Sequence, residues 1–142
     1  MSRFLVDTQL LLWNVYGSRK LPARVGRLFR DGRHQFFYSA ASLWEIAIKA
    51  ARDREDFAAD TAAIRERLEE NGFEELPVTA QHAVALSRLT PIHGDPFDRM
   101  LVAQAMAEPM ALITTDERLA AYPGTIEVVG PGGPKDTAVR RP

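Results

Sequence analysis

Apolar residues fall in short blocks separated by polar and turn-forming ones, and two kinds of block alternate along the chain. Phe4-Leu5-Val6, Gln35 to Tyr38, Ala111 to Thr114 and Ile126 to Val129 have the length of buried strands. Between them, Gln9 to Tyr16 and the stretch from Pro22 to about Arg30 carry apolar residues at helical spacing. The text AASLWEIAIKAA from Ala40 is apolar on nearly every side, which predicts a helix packed between other elements with Ser39 as its cap. Glu45 and Lys49 are its conspicuous polar members.

Arg52 to Asp60 reads as a charged loop. Thr61 to Glu70 reads as an exposed amphipathic helix stopped by Asn71-Gly72, and Glu74 to Pro77 as a short edge strand. Thr79 is placed to cap a helix reaching about Leu89. Asp95 and Pro96 open another, which Pro109 ends, and Glu117 to Ala121 is a short helix. Strands that alternate with helices need crossover connections, so the predicted class is α/β, with a mostly parallel sheet covered by helices on both faces. Residues 1–129 form one expected domain, and the tail GPGGPKDTAVRRP from residue 130 is expected to be disordered.

Composition narrows the chemistry. A chain of 142 residues can build one real core, and 46% hydrophobic with 26% charged residues is ordinary for a globular protein. The net charge of −1 supplies no overall basic field, so any contact with a polyanion must come from a local patch. The absence of cysteine removes thiol nucleophiles, thiolate zinc sites and disulfides together. With no signal-peptide pattern and no apolar run long enough to span a bilayer, a cytoplasmic protein is expected and no membrane partner.

Four acids stand out. Asp7 and Asp116 each follow a predicted strand, Asp98 lies in the first turn of a helix, and Glu45 interrupts an apolar one. Each has a structural explanation: Asp7 and Asp116 as helix caps, Asp98 as a complement to the helix dipole, Glu45 as the partner of Lys49 one turn on. Asp98 shares a helical face with Leu101, Val102 and Ala105, which turns it toward the sheet and leaves Asp95 elsewhere. If the strands are parallel, the acids gather at one sheet edge, where they repel one another unless a hard divalent cation sits among them. Oxygen donors point to Mg²⁺ or Mn²⁺. The three histidines, His34, His82 and His93, lack close ligand spacing and read as surface or loop residues.

The texts LVDTQLLLW, SAASLWEIAIK, DPFDRMLVAQA and LITTDERL, in this order, resemble the PIN-domain ribonucleases, in particular the VapC-type toxins of toxin-antitoxin pairs. The resemblance runs from Phe4 to about Val129. It implies a three-layer α/β/α sandwich, a metal-dependent endoribonuclease, a homodimer and a cognate antitoxin. It places the family's acidic quartet on Asp7, Glu45, Asp98 and Asp116, with Thr114 as a supporting hydroxyl and Asp95 as a further acid. The chain departs from the common Asp-Thr-His pattern with Asp7-Thr8-Gln9, and Gln9 cannot carry a proton at neutral pH.

The implied chemistry is hydrolysis of an RNA phosphodiester by cation-activated water, with phosphates guided by Lys49, Arg52, Arg54, Arg99 or Arg118. Apolar residues Leu10 to Trp13 and Trp44 belong either to the core or to a protein contact. Two other readings remain open at this level. One is a binding module that keeps the fold without turnover, to which Gln9 lends weight. The other is a phosphoryl-transfer or phosphoacceptor domain, against which the lack of a second acid two places after Asp7 counts.

Overall fold

The computed structural model describes residues 2–52 and 60–130. Arg54, most of the predicted charged loop and the tail from residue 131 lie outside the described residues. Among those described, β1 (Arg3–Val6), β2 (Gln35–Ser39), β3 (Phe73–Leu76), β4 (Ala111–Thr114) and β5 (Ile126–Val128) form one sheet in the order β3-β2-β1-β4-β5. Every pairing is parallel. The helices are α1 (Thr8–Val15), α2 (Ala23–Phe29), α3 (Ala40–Arg52), α4 (Thr61–Glu70), α5 (Ala80–Ser87) and α6 (Pro96–Ala107), with a 3₁₀ turn at Glu117–Ala121.

Side chains alternate across the strands and sort into two cores. Phe4 and Val6 of β1, Phe36 and Tyr38 of β2, and Ile113 of β4 pack with Leu10, Leu11, Ile46, Ile64 and Leu68 from α1, α3 and α4. Leu5, Phe37 and Leu112 face the other way, onto Leu101, Val102 and Ala105 of α6 and onto Leu119 and Tyr122. This is the expected three-layer sandwich. Leu5 and Leu112 are fully buried in the middle strands, each contributing about 1.5–3 kcal/mol of transfer free energy.

Local chemistry sets the element ends. Asp60 Oδ1 accepts from the Ala63 amide to open α4, and Gly72 closes it at φ +94°, a conformation that side chains with a Cβ avoid. Thr79 Oγ1 accepts from the His82 amide while His82 Nδ1 accepts from the Thr79 amide, a reciprocal cap on α5. His82 is therefore no surface residue. It is fully buried, its Nε2 lies 2.6 Å from Glu108 Oε2, and pairing at both ring nitrogens is what makes burial of the imidazole tolerable. No helix among the described residues is long and apolar enough to cross a membrane.

The topology matters for the site. The chain lays β2 and β3 on one side of β1 and then crosses to lay β4 and β5 on the other. Adjacent connections leave β1 and β4 in opposite directions, opening a crevice beyond their carboxyl ends.

Candidate active site

Asp7 follows the last residue of β1. Its amide donates to the Ile113 carbonyl at 3.0 Å, so the parallel register sets it beside the end of β4. Its side chain caps α1, Oδ1 accepting from the Leu10 amide at 2.9 Å. Oδ2 accepts from the Thr114 hydroxyl at 2.7 Å and the Thr115 amide at 2.8 Å. Burial pushes the Asp7 carboxyl above its ordinary range, and these donors offset part of the shift. Capping and a place at the sheet edge thus hold together.

Glu45 arrives from α3, buried as its apolar surroundings imply. Thr8 Oγ1 lies 2.8 Å from Glu45 Oε1 and 2.8 Å from Ser42 Oγ, and Lys49 Nζ donates to Glu45 Oε2 at 2.9 Å. The salt bridge with Lys49 is real, yet both residues line the crevice.

Asp116 opens the 3₁₀ turn after β4. Arg118 grips it, Nε to Oδ1 at 3.1 Å and an Nη to Oδ2 at 3.0 Å, and holds its carboxyl down at about 2, with further help from His93. Thr114 Oγ1, besides donating to Asp7, accepts from the Asp116 amide at 3.1 Å.

Asp98 differs from the other three. Among the described residues no hydrogen-bond donor meets its carboxylate, the nearest cation-forming group being His93 Nε2 at 3.6 Å. Burial, followed by the charges of Asp95, Asp7 and Glu45, pushes its carboxyl up to about 7. Asp95 does not lie elsewhere, as helical spacing alone suggested. Its Oδ1 accepts from the Phe97 and Asp98 amides at 2.8 and 3.2 Å, and this cap folds the carboxylate back over the first turn of α6 into the same crevice.

The resulting cavity, about 200 Å³, is lined by Asp7, Glu45, Asp95, Asp98 and Asp116 together with Thr8, Gln9, Lys49 and Thr115. A larger one of about 670 Å³ opens at the amino ends of the strands, near Arg3, Phe4 and Ala111, and has Glu127 as its one lining carboxylate. The concentrated charge, not the larger volume, marks the site. Five carboxylates, one of them without a hydrogen-bond donor and pushed toward neutrality by burial and by the charges around it, fit a hard divalent cation.

The chain belongs to the PIN domain family. The family's model matches residues 4–124. Among solved structures, the VapBC2 complex from Rickettsia felis bound to a promoter DNA fragment includes a similar chain, with a TM-score of 0.64 at 13% identity, covering 89% of this chain and 98% of that one. A toxin-antitoxin complex from Klebsiella pneumoniae includes another, with a TM-score of 0.58 at 19% identity, covering 85% and 93%. No curated protein sequence matches significantly. At these identities the structures speak for the fold alone.

The PIN domain's candidate cations separate by position. Lys49 lines the crevice and Arg118 grips Asp116 at its border, whereas Arg99 reaches away, an Nη donating to the Leu89 carbonyl at 3.5 Å and Nε buried without a partner. Arg52 is exposed at the end of α3. Leu10 and Leu11 belong to the core, while Trp44 is 64% exposed with its ring edge-on to Phe97 at 5.3 Å.

One participant escaped the sequence reading. His93 is buried, not a surface residue, and its Nε2 stands 2.7 Å from Asp116 Oδ2. His93, Asp98 and Asp116 each offer a ligand-type atom within 4.8 Å of one another. No local signal marks His93, because the contact depends on where the turn into α6 lies against the segment after β4.

Proposed function

We propose that this PIN domain is a Mg²⁺- or Mn²⁺-dependent endoribonuclease and the toxin of a toxin-antitoxin pair, acting in the cytoplasm where its RNA substrate is. The observation that carries the reading is the Asp98 carboxylate, half-buried, met by no hydrogen-bond donor among the described residues and facing three other acids. A site built only for stability would give that carboxylate a donor.

On this reading Asp7, Glu45, Asp98 and Asp116 hold the cation directly or through water, with Thr114 and Asp95 fixing their orientations. The cation, when bound, supplies acidification of water and neutralisation of phosphate charge. In hydrolysis a water oxygen bonds to phosphorus as the ester P–O bond breaks, the leaving oxygen takes up a proton from solvent, and the attacking water's proton must leave. Of these four acids Asp98 is the one with oxygens free to take it, because both oxygens of Asp7, Glu45 and Asp116 already accept hydrogen bonds. Lys49 and Arg118 stand where they can draw phosphates toward an otherwise repulsive crevice. Membership of the family and the likeness to chains from toxin-antitoxin complexes support a cognate antitoxin, and the family likeness extends the proposal to a homodimer.

Purified protein incubated with structured and unstructured RNA tests this, with Mg²⁺, Mn²⁺ or chelator. Cleavage is expected with either metal, none with chelator, and a loss of at least about a hundredfold in Asp7→Asn and Asp98→Asn. Metal-independent cutting, or full activity in both variants, refutes the mechanism.

A further inference from the structure

His93 is anchored at its backbone amide and at both ring nitrogens. Its amide donates to Tyr122 Oη at 2.9 Å, and its Nδ1 accepts from the Asp95 amide at 3.0 Å. An Nδ1 that accepts leaves the ring proton on Nε2, which points at Asp116 Oδ2. The buried ring therefore ties the turn before α6 to the segment after β4. Arg118 also grips Asp116, but its side chain is 72% exposed, so water and salt weaken that hold.

We propose that His93 is a positioning residue: its Nε2–H fixes the Asp116 carboxylate in the orientation a divalent cation needs, and the ring is not itself a ligand. Ligation through Nε2 would move the proton to Nδ1, where it would meet the Asp95 amide, donor against donor. The inference rests on the proposed function for its effect on RNA cleavage, and on the acidic crevice alone for its effect on cation binding.

The test measures Mn²⁺ binding to the full chain by calorimetry, with melting temperature and RNA cleavage followed in parallel, for wild type and His93→Ala, His93→Asn and His93→Gln. Glutamine can bring an amide N–H close to where Nε2 stands, whereas asparagine is too short and alanine has no donor. Loss of such an orienting bond costs about ten- to a hundredfold in metal affinity, so that loss is expected in His93→Ala and His93→Asn, with most of it recovered in His93→Gln. Merely structural damage would not be repaired by a flexible amide in this order. If His93→Ala does not fold, the asparagine and glutamine variants still make the comparison.

Wild-type affinity in His93→Ala or His93→Asn overturns the proposal. So does a His93→Gln as weak as His93→Ala, which would make the ring nitrogen a ligand, and so does a wild type that binds no Mn²⁺. The expected order of affinities in a protein that cuts no RNA supports the positioning role while removing the ribonuclease reading.

Discussion

The Thr114 hydroxyl donates to Asp7 Oδ2 across 2.7 Å, joining residues 107 positions apart at the ends of two neighbouring strands. Because the same oxygen atom of Thr114 accepts from the Asp116 amide, one side chain sets the spacing between the first and last acids of the crevice. Thr114 is fully buried, so water cannot replace it. Thr114→Val keeps the shape and removes both bonds. Leaving the Asp116 amide unmet and taking one of its donors from Asp7 Oδ2, which keeps the Thr115 amide, costs about 1–3 kcal/mol, and the melting temperature is expected to fall by several degrees. An unchanged melting temperature would show that the bond carries no weight.

The raised Asp98 carboxyl makes both stability and cation binding depend on pH. A carboxyl raised to about 7 binds its proton more readily in the folded chain than in the unfolded one. The stability this adds is complete below the unfolded value near 4 and is lost as pH rises through about 7. Without metal, the protein should therefore melt lower at pH 8 than at pH 6, and Asp98→Asn should flatten that dependence. Asp7, raised by burial, acts in the same direction. The lowered Asp116 acts oppositely, but only as pH falls toward about 2. Melting curves from pH 5 to 8 check the sign, and a metal-free protein that gains stability across that range contradicts it.

Cation binding should show the reverse trend. The cation must displace the Asp98 proton below about pH 7, so Mn²⁺ affinity is expected to climb by up to about tenfold per pH unit there and to level off above it. Calorimetry in two buffers of different ionisation enthalpy would register the released proton at pH 6. Binding that is flat from pH 5 to 8 is the contrary result.

Lys49 neutralises Glu45, and on the proposed reading it would compete with a cation for the same oxygen. Removing the ammonium in Lys49→Ala should tighten Mn²⁺ binding several-fold through simple charge arithmetic. The same change should weaken RNA binding and lower the salt-dependence slope by about one. Weaker Mn²⁺ binding in this variant would mean that Lys49 orders Glu45 more than it opposes the metal.

Arg99 offers a contrast. Its guanidinium bonds the Leu89 carbonyl and does not line the crevice, so Arg99→Ala should leave the salt slope of RNA binding at the wild-type value. Arg118→Ala should lower it. Equal slopes for the two variants would show that position at the crevice does not decide which cation meets RNA.

Most of the architecture is legible along the chain, since short apolar blocks, the caps Thr79 and Asp95, and the stop at Asn71-Gly72 are local signals written in neighbouring residues. The quartet is legible for the same reason: an acid after a strand or inside an apolar helix is conspicuous wherever it later lands. What local text determined was therefore which residues form elements, which face the core, and where carboxylates stand at their ends.

Tertiary structure decided the rest. The parallel register of β1 on β4 brought Thr114 onto Asp7, the turn before α6 carried His93 to Asp116, and the cap geometry turned Asp95 toward Asp98. None of these contacts has a sequence signature, because each depends on directions in space set by elements many residues away. A carboxylate's proton affinity is likewise a property of what surrounds it: burial pushes Asp98 to about 7, helped by acids from three separate segments of the chain.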